Sequence, residues 1–230
     1  MSVERVRLSV VDPAVDALTV AVHRPRRRRR PSVLLTPGAG GDLDGEGLVA
    51  LAEVLVSQGH QVVRGNLPHH ELGRRAPRAE RSVEPLGGLL AAAREHLGDR
   101  RPWILGGKSY GGRVASLAVA GGLGALGLVF YGYPLHPPGR PERLRVEHWS
   151  HVGVPCLFLQ GTADPFCDLA LLEGQLRRLP RRSTLHVVEG GDHSLRVPRA
   201  ASPTGQAIPA AESVRGLSKV LAEWVDGLAD

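Results

Sequence analysis

Pro102-Trp-Ile-Leu-Gly-Gly-Lys-Ser-Tyr-Gly-Gly-Arg113, running on into Val114-Ala-Ser-Leu-Ala-Val-Ala120, decides how the rest of the chain is read. The stretch opens with a short apolar run suited to a buried strand and closes with an Ala- and Leu-rich run suited to a helix. Between them, Gly107-Lys108-Ser109-Tyr110-Gly111 fits G-x-S-x-G. In that pattern a serine sits on a sharp strand-to-helix turn with its hydroxyl standing clear of the sheet. Glycines two before and two after the serine allow an approach in which a Cβ would clash. The helix that follows aims its first free N–H groups at the place where an oxyanion would form. By itself the pattern also fits an ordinary glycine-rich turn, so its context carries the weight.

Outward from this stretch, apolar strand-like runs alternate with amphipathic helical ones. Residues 3–10 and 17–24 alternate apolar and polar and turn at Asp12-Pro13, which predicts an antiparallel hairpin. Ser32–Thr36 reads as a central parallel strand, followed by a helix over Gly47–Gln58 and a strand over His60–Arg64. Asn66–Ala79 reads as a polar loop in which His69 and His70 are solvated. Helices are expected over Ser82–His96, Tyr110–Ala120, Leu169–Leu179 and residues 209–227, the last as one amphipathic helix with Val214, Leu217, Val220, Leu221 and Trp224 inward. Strands are expected over Leu126–Tyr131, Val154–Gln160 and Thr184–Val188. About sixteen residues separate Pro134 from Ser150, too few for a cap domain. The alternation predicts an α/β fold with a mostly parallel sheet and helices on both faces, and 230 residues suit a single domain over 1–230.

Composition narrows the function classes. No run is apolar enough to cross a bilayer and the opening residues are not a secretory signal, so a cytoplasmic protein is expected, with no membrane partner. Cys156 and Cys167 fit neither a zinc spacing nor a disulfide framework, and neither metal nor cofactor is expected. The net charge of +6 raises nucleic-acid binding, but arginines scatter, aromatics are scarce, and only Lys108 and Lys219 are lysine. The dense Arg26–Arg30 run reads as a solvated loop between two strands.

Ser109, Asp164 and His193 each fall just past an expected strand. Ligands bind beyond those carboxyl ends in such sheets. Serine, acid and histidine in that order is the arrangement of α/β-hydrolases. Asp164 could instead cap the helix that begins near Asp168, Asp168 itself is a rival acid, and Asp192 a decoy beside the histidine. His136, His148 and His186 lack the strand-end position. With Gly106–Ser116, Tyr131-Gly-Tyr-Pro-Leu-His-Pro-Pro138 and Leu159–Asp164, nearly the whole chain resembles an α/β-hydrolase. Those segments resemble a dienelactone-hydrolase-like branch that includes the testis-expressed hydrolase-like protein and the hydrolase-like domain of a chromatin complex subunit. Dienelactone hydrolases proper use cysteine as nucleophile, so their substrate does not carry over to Ser109.

The resemblance implies the α/β-hydrolase fold without a large cap. It implies a serine hydrolase and little about substrate. The chain, with no room for a cap over its site, reads as a carboxylesterase-like enzyme cleaving small to medium esters, with thioesters or amides also in range. Ser109 would attack, His193 would shuttle the proton, and Asp164 would orient the imidazole. Oxyanion donors are expected at Ala39, in Pro37-Gly38-Ala39-Gly40, and at Tyr110. Gly38, Gly40, Lys108 and Tyr133 are expected to touch substrate. Lys108 and Arg113 either pair with Asp42, Asp44 or Asp192, or Lys108 favours acidic acyl groups. A small-molecule ester is the expected partner, and the chain a monomer or homodimer. The rival class is a non-catalytic interaction module on the same fold.

Overall fold

The computed structural model describes residues 2–28 and 30–228. Eight strands form one sheet in the order β1-β2-β4-β3-β5-β6-β7-β8. β1 (Ser2–Ser9) and β2 (Ala17–Arg24) make the antiparallel hairpin, with Ser2 opposite Arg24 and Ser9 opposite Ala17. β2 also runs antiparallel to β4 (Val62–Gly65). β3 (Val33–Thr36), β5 (Ile104–Lys108), β6 (Gly127–Tyr131), β7 (Cys156–Gly161) and β8 (Ser183–Val188) continue from β4 in parallel. β3 and β5 therefore lie side by side in the middle, although 67 residues separate Thr36 from Ile104.

Side-chain alternation sorts the apolar runs onto two faces. Leu34, Leu105, Leu128, Phe130, Cys156 and Phe158 point to one side and pack against α3 (Val83–Leu97) and α4 (Tyr110–Ala120). Val33, Leu35, Ile104, Val129, Tyr131, Leu157 and Leu159 point to the other, against α1 (Glu46–Ser57) and the C-terminal helices. Both faces are covered, so the central strands read as unbroken apolar runs rather than alternating ones. Among the described residues, no helix is long and apolar enough to cross a membrane.

Several local expectations change. His69 and His70 lie in a short helix, α2 (Pro68–Glu71), and His69 is buried. The expected terminal helix divides into α6 (Ala210–Gly216) and α7 (Ser218–Asp226), because the backbone at Leu217 departs from helical geometry (φ −85°, ψ 8°). Both pieces still bury Val214, Leu217, Leu221 and Trp224. α5 (Leu169–Leu176) stops three residues early.

The arginine run is not simply solvated. Arg28 pairs with Asp99, whose side chain is buried and also accepts from Ser32 Oγ (2.9 Å) and Arg101 Nε (3.0 Å). Arg30 pairs with Asp226 at 2.7 Å, and Arg29 lies outside the described residues. Sequence spacing could not show that Asp99, 71 residues on, sits beneath this loop.

Burial pushes the Asp99 carboxyl upward, but hydrogen bonds from Arg101, Ser32 and Arg28 outweigh it and hold the pKa at about 2. A folded-state pKa below the unfolded one stabilises above the unfolded value and is lost as pH falls through the folded one. Asp99→Asn should therefore lower stability by about 1–3 kcal/mol at neutral pH. The difference from wild type should vanish between about pH 4 and pH 2, as urea titrations across that range would show.

Candidate active site

The G-x-S-x-G stretch forms the turn between β5 and α4. Ser109 sits at φ 49°, ψ −109°, a backbone region costly for any residue with a side chain. What imposes this conformation is the backbone of β3 next door. A Cβ on Gly107 or on Gly111 would overlap the Thr36 carbonyl oxygen, so only glycine at both positions lets the turn press against β3. Ser109 N–H donates to Tyr131 O (2.9 Å), and Arg113 N–H closes the first turn of α4 on Ser109 O (3.0 Å).

Two further loops meet this turn. After β7, Asp164 is buried and accepts from the Phe166 N–H (2.8 Å) and from Gln160 Nε2 (2.5 Å). After β8, residues 192–196 fold tightly around Asp192, whose Oδ1 accepts from the Ser194 and Arg196 N–H groups (2.7 and 2.9 Å). Asp192 thus holds the histidine loop. The loops are stitched by Ala163 N–H to Gly191 O (2.9 Å), where Gly161 lies too close to Gly191 for any Cβ.

In this frame His193 Nδ1 lies 2.7 Å from Asp164 Oδ2, and His193 Nε2 lies 2.8 Å from Ser109 Oγ. Asp168, the rival acid, caps α5 by accepting from the Leu171 N–H at 2.9 Å. His136 bonds to Asp168 N–H and Pro137 O, and His148 to Ser116 Oγ. Neither reaches the serine.

A cavity of about 490 Å³ opens over Ser109 and His193. Pro37–Asp42, Lys108, Tyr131, Phe166 and Arg196 line it, so Gly38, Ala39, Gly40 and Lys108 all face it. Tyr133 does not. It is wholly buried on the opposite side of the sheet, donating to Arg145 O (3.0 Å) and accepting from Trp149 Nε1 (3.2 Å), and burial pushes its pKa up to about 12. Gly132, at φ +64°, breaks the strand alternation and sends the next side chain to the other face. A Cβ there would also press within 2.7 Å of His193 O. The tyrosine at the cavity is Tyr131, whose hydroxyl donates to Ser194 O (2.7 Å). Its parity with Val129 in β6 was a usable signal.

The charges flanking Ser109 do not pair as expected. Arg113 binds Glu80 (2.7 Å). Among the described residues Lys108 has no carboxylate within ion-pair distance. Its Nζ reaches His193 O (3.5 Å) and lies over the Tyr131 ring (5.6 Å). Desolvation lowers its pKa, against the opposing pull of Asp164 and Asp192. Among the described residues, no group of three or more His, Cys, Asp or Glu side chains gathers as metal ligands would.

A mostly parallel eight-stranded sheet, opened by an antiparallel hairpin and carrying a serine turn after its fifth strand, has the α/β-hydrolase fold. The profile of the alpha/beta hydrolase domain family matches residues 29–221, and the chain belongs to that family. Solved structures share the fold at low identity. An α/β serine hydrolase homologue from Coxiella burnetii has a TM-score of 0.70 at 18% identity, over 98% of this chain and 96% of that one. A dienelactone hydrolase from Anabaena variabilis has a TM-score of 0.70 at 20%, over 98% and 97%. An α/β serine hydrolase without lid from Xanthomonas campestris has a TM-score of 0.64 at 20%, over 96% and 94%.

Because the turn rests on two missing side chains, Gly111→Ala should disrupt the Ser109 conformation far more than Gly88→Ala, where an added Cβ meets open space. Thermal unfolding should show a loss of more than about 2 kcal/mol for Gly111→Ala and almost none for Gly88→Ala.

Proposed function

We propose that the chain is a serine hydrolase that cleaves small to medium carboxylic esters through an acyl-enzyme. One observation carries this: the unbroken hydrogen-bond path from Asp164 through His193 to Ser109, with links of 2.7 and 2.8 Å. An ionised carboxylate only accepts, so Nδ1 of His193 holds the proton and Nε2 presents its lone pair to the Ser109 hydroxyl. Ser109 Oγ attacks the ester carbonyl carbon as its proton passes to Nε2. The imidazolium, stabilised by Asp164, returns that proton to the departing alkoxide. Water then repeats the sequence on the acyl-enzyme and releases the acid.

The N–H groups of Tyr110, at the start of α4, and of Ala39, in the glycine loop, receive the oxyanion. Such a donor is worth about 3–4 kcal/mol. Gly38 and Gly40 keep that loop slim enough for a substrate carbonyl to approach. Phe166, with its ring centroid 4.3 Å from that of His193, walls the leaving-group side. Lys108, partly desolvated and free of a carboxylate partner among the described residues, favours acyl groups that carry a negative charge. The resemblance of the Tyr131–Pro138 segment supports membership of the dienelactone-hydrolase-like branch that includes the testis-expressed hydrolase-like protein.

A fluorophosphonate probe followed by peptide mapping should place an adduct on Ser109 in wild type and none in His193→Ala. No adduct on a folded wild type would sink the enzyme reading in favour of a non-catalytic interaction module. Lys108→Ala should lower kcat/KM for a hemisuccinate ester about 10-fold relative to a neutral butyrate ester. An unchanged ratio would remove Lys108 from the specificity assignment.

A further inference from the structure

We infer that His70 is a positioning residue for the oxyanion hole: it holds the Gly38–Ala39 peptide so that the Ala39 N–H faces the cavity. This rests on the hydrolase reading above and assigns a role to a side chain outside the triad and the cavity lining.

Its hydrogen bonds fix its protonation pattern. Nδ1 lies 3.0 Å from the Leu67 N–H, a donor, so Nδ1 is the acceptor and carries no proton. Nε2 therefore bears the hydrogen and donates it to Gly38 O, 3.1 Å away. In a trans peptide the carbonyl and the following N–H point in opposite directions. Tying Gly38 O to α2 therefore turns the Ala39 N–H away from α2. Ala39 lines the cavity with Ser109, and His70 does not.

The loop needs an outside anchor because little within it resists rotation of this peptide. A Cβ on Gly40 or Gly41 would meet nothing within 4 Å, so neither residue is wedged in place. Gly38 O accepts one bond from inside the loop, a long one from Gly41 N–H (3.3 Å). Among the described residues, the shorter bond from His70 is its tie to the rest of the fold. Without it, the peptide between flexible glycines can flip and withdraw the donor.

His70 is itself braced. Its ring lies against that of His69 (centroids 3.8 Å apart, tilted by 38°), which is buried edge-on to the Tyr110 ring (5.4 Å, 79°). Among the described residues neither nitrogen of His69 has a hydrogen-bond partner, and desolvation, aided by His70, pulls its pKa to about 4, so it packs as a neutral ring. The histidine pair thus joins the elements that carry both expected oxyanion donors.

Two variants separate positioning from folding. In His70→Asn, Oδ1 can still accept from Leu67 N–H and keep α2 intact, but the side chain is too short for Gly38 O. In His70→Gln, the amide nitrogen reaches the place of Nε2 and restores the donor. With p-nitrophenyl butyrate, His70→Asn should lower kcat about 10–100-fold with KM within about 2-fold of wild type. Inhibition by phenylboronic acid, whose tetrahedral adduct fills the oxyanion site, should weaken by a similar factor. His70→Gln should recover both to within about 5-fold. Wild-type kcat in a folded His70→Asn, or a Gln variant as slow as the Asn one, would overturn the assignment. A wild type that neither labels at Ser109 nor hydrolyses the ester removes the hydrolase reading and this role together, an outcome visible before any variant is made.

Discussion

The contact on which this molecule depends is one of backbone against backbone, where the end of β3 meets the turn after β5. Thr36 O lies where a Cβ on Gly107 or Gly111 would sit. That closeness forces the Ser109 backbone to φ 49°. Ser109 is thereby lifted out of the sheet, and the Pro37–Gly41 loop that leaves β3 comes to lie beside it. Neighbouring strands in a sheet lie about 4.8 Å apart, which leaves no room for a compromise. Either both glycines are present or the serine loses its place.

Much of this was legible in the sequence because it follows from periodicity and from glycine. The hairpin, the buried strands and most helices follow from apolar spacing, and the turn at Ser109 from two glycines. What the sequence could not supply was contact between distant segments. Asp99 beneath the Arg28 loop and Glu80 beside Arg113 are pairings that emerge only when crossovers bring separate loops together. Tyr133 illustrates a different limit. It was expected at the cavity, and one left-handed glycine, Gly132, turns it to the other face. His69 and His70 illustrate a third, since their polar neighbours suggested solvent while the fold uses them as packing and as a donor.

The acid and histidine loops show how the fold keeps its polar groups in place where the strands end. Asp164 receives three hydrogen bonds, from Gln160, Phe166 and His193, and Asp192 gathers two backbone N–H groups of its own loop. Asp164 is satisfied from β7, from its own loop and from the histidine loop, and Asp192 within its own. A buried carboxylate left short of such partners would cost more than the loop could recover from packing.

β1 closes one flank of the sheet and leaves its outer backbone groups open to solvent, an invitation to a strand of another molecule. Its charges answer that exposure. Glu4 is tied to Arg24 and Arg5 to Asp44, so a strand drawing alongside would have to strip water from two ion pairs. The arginine richness that first suggests nucleic acid thus also supplies the ion pairs that line this open edge.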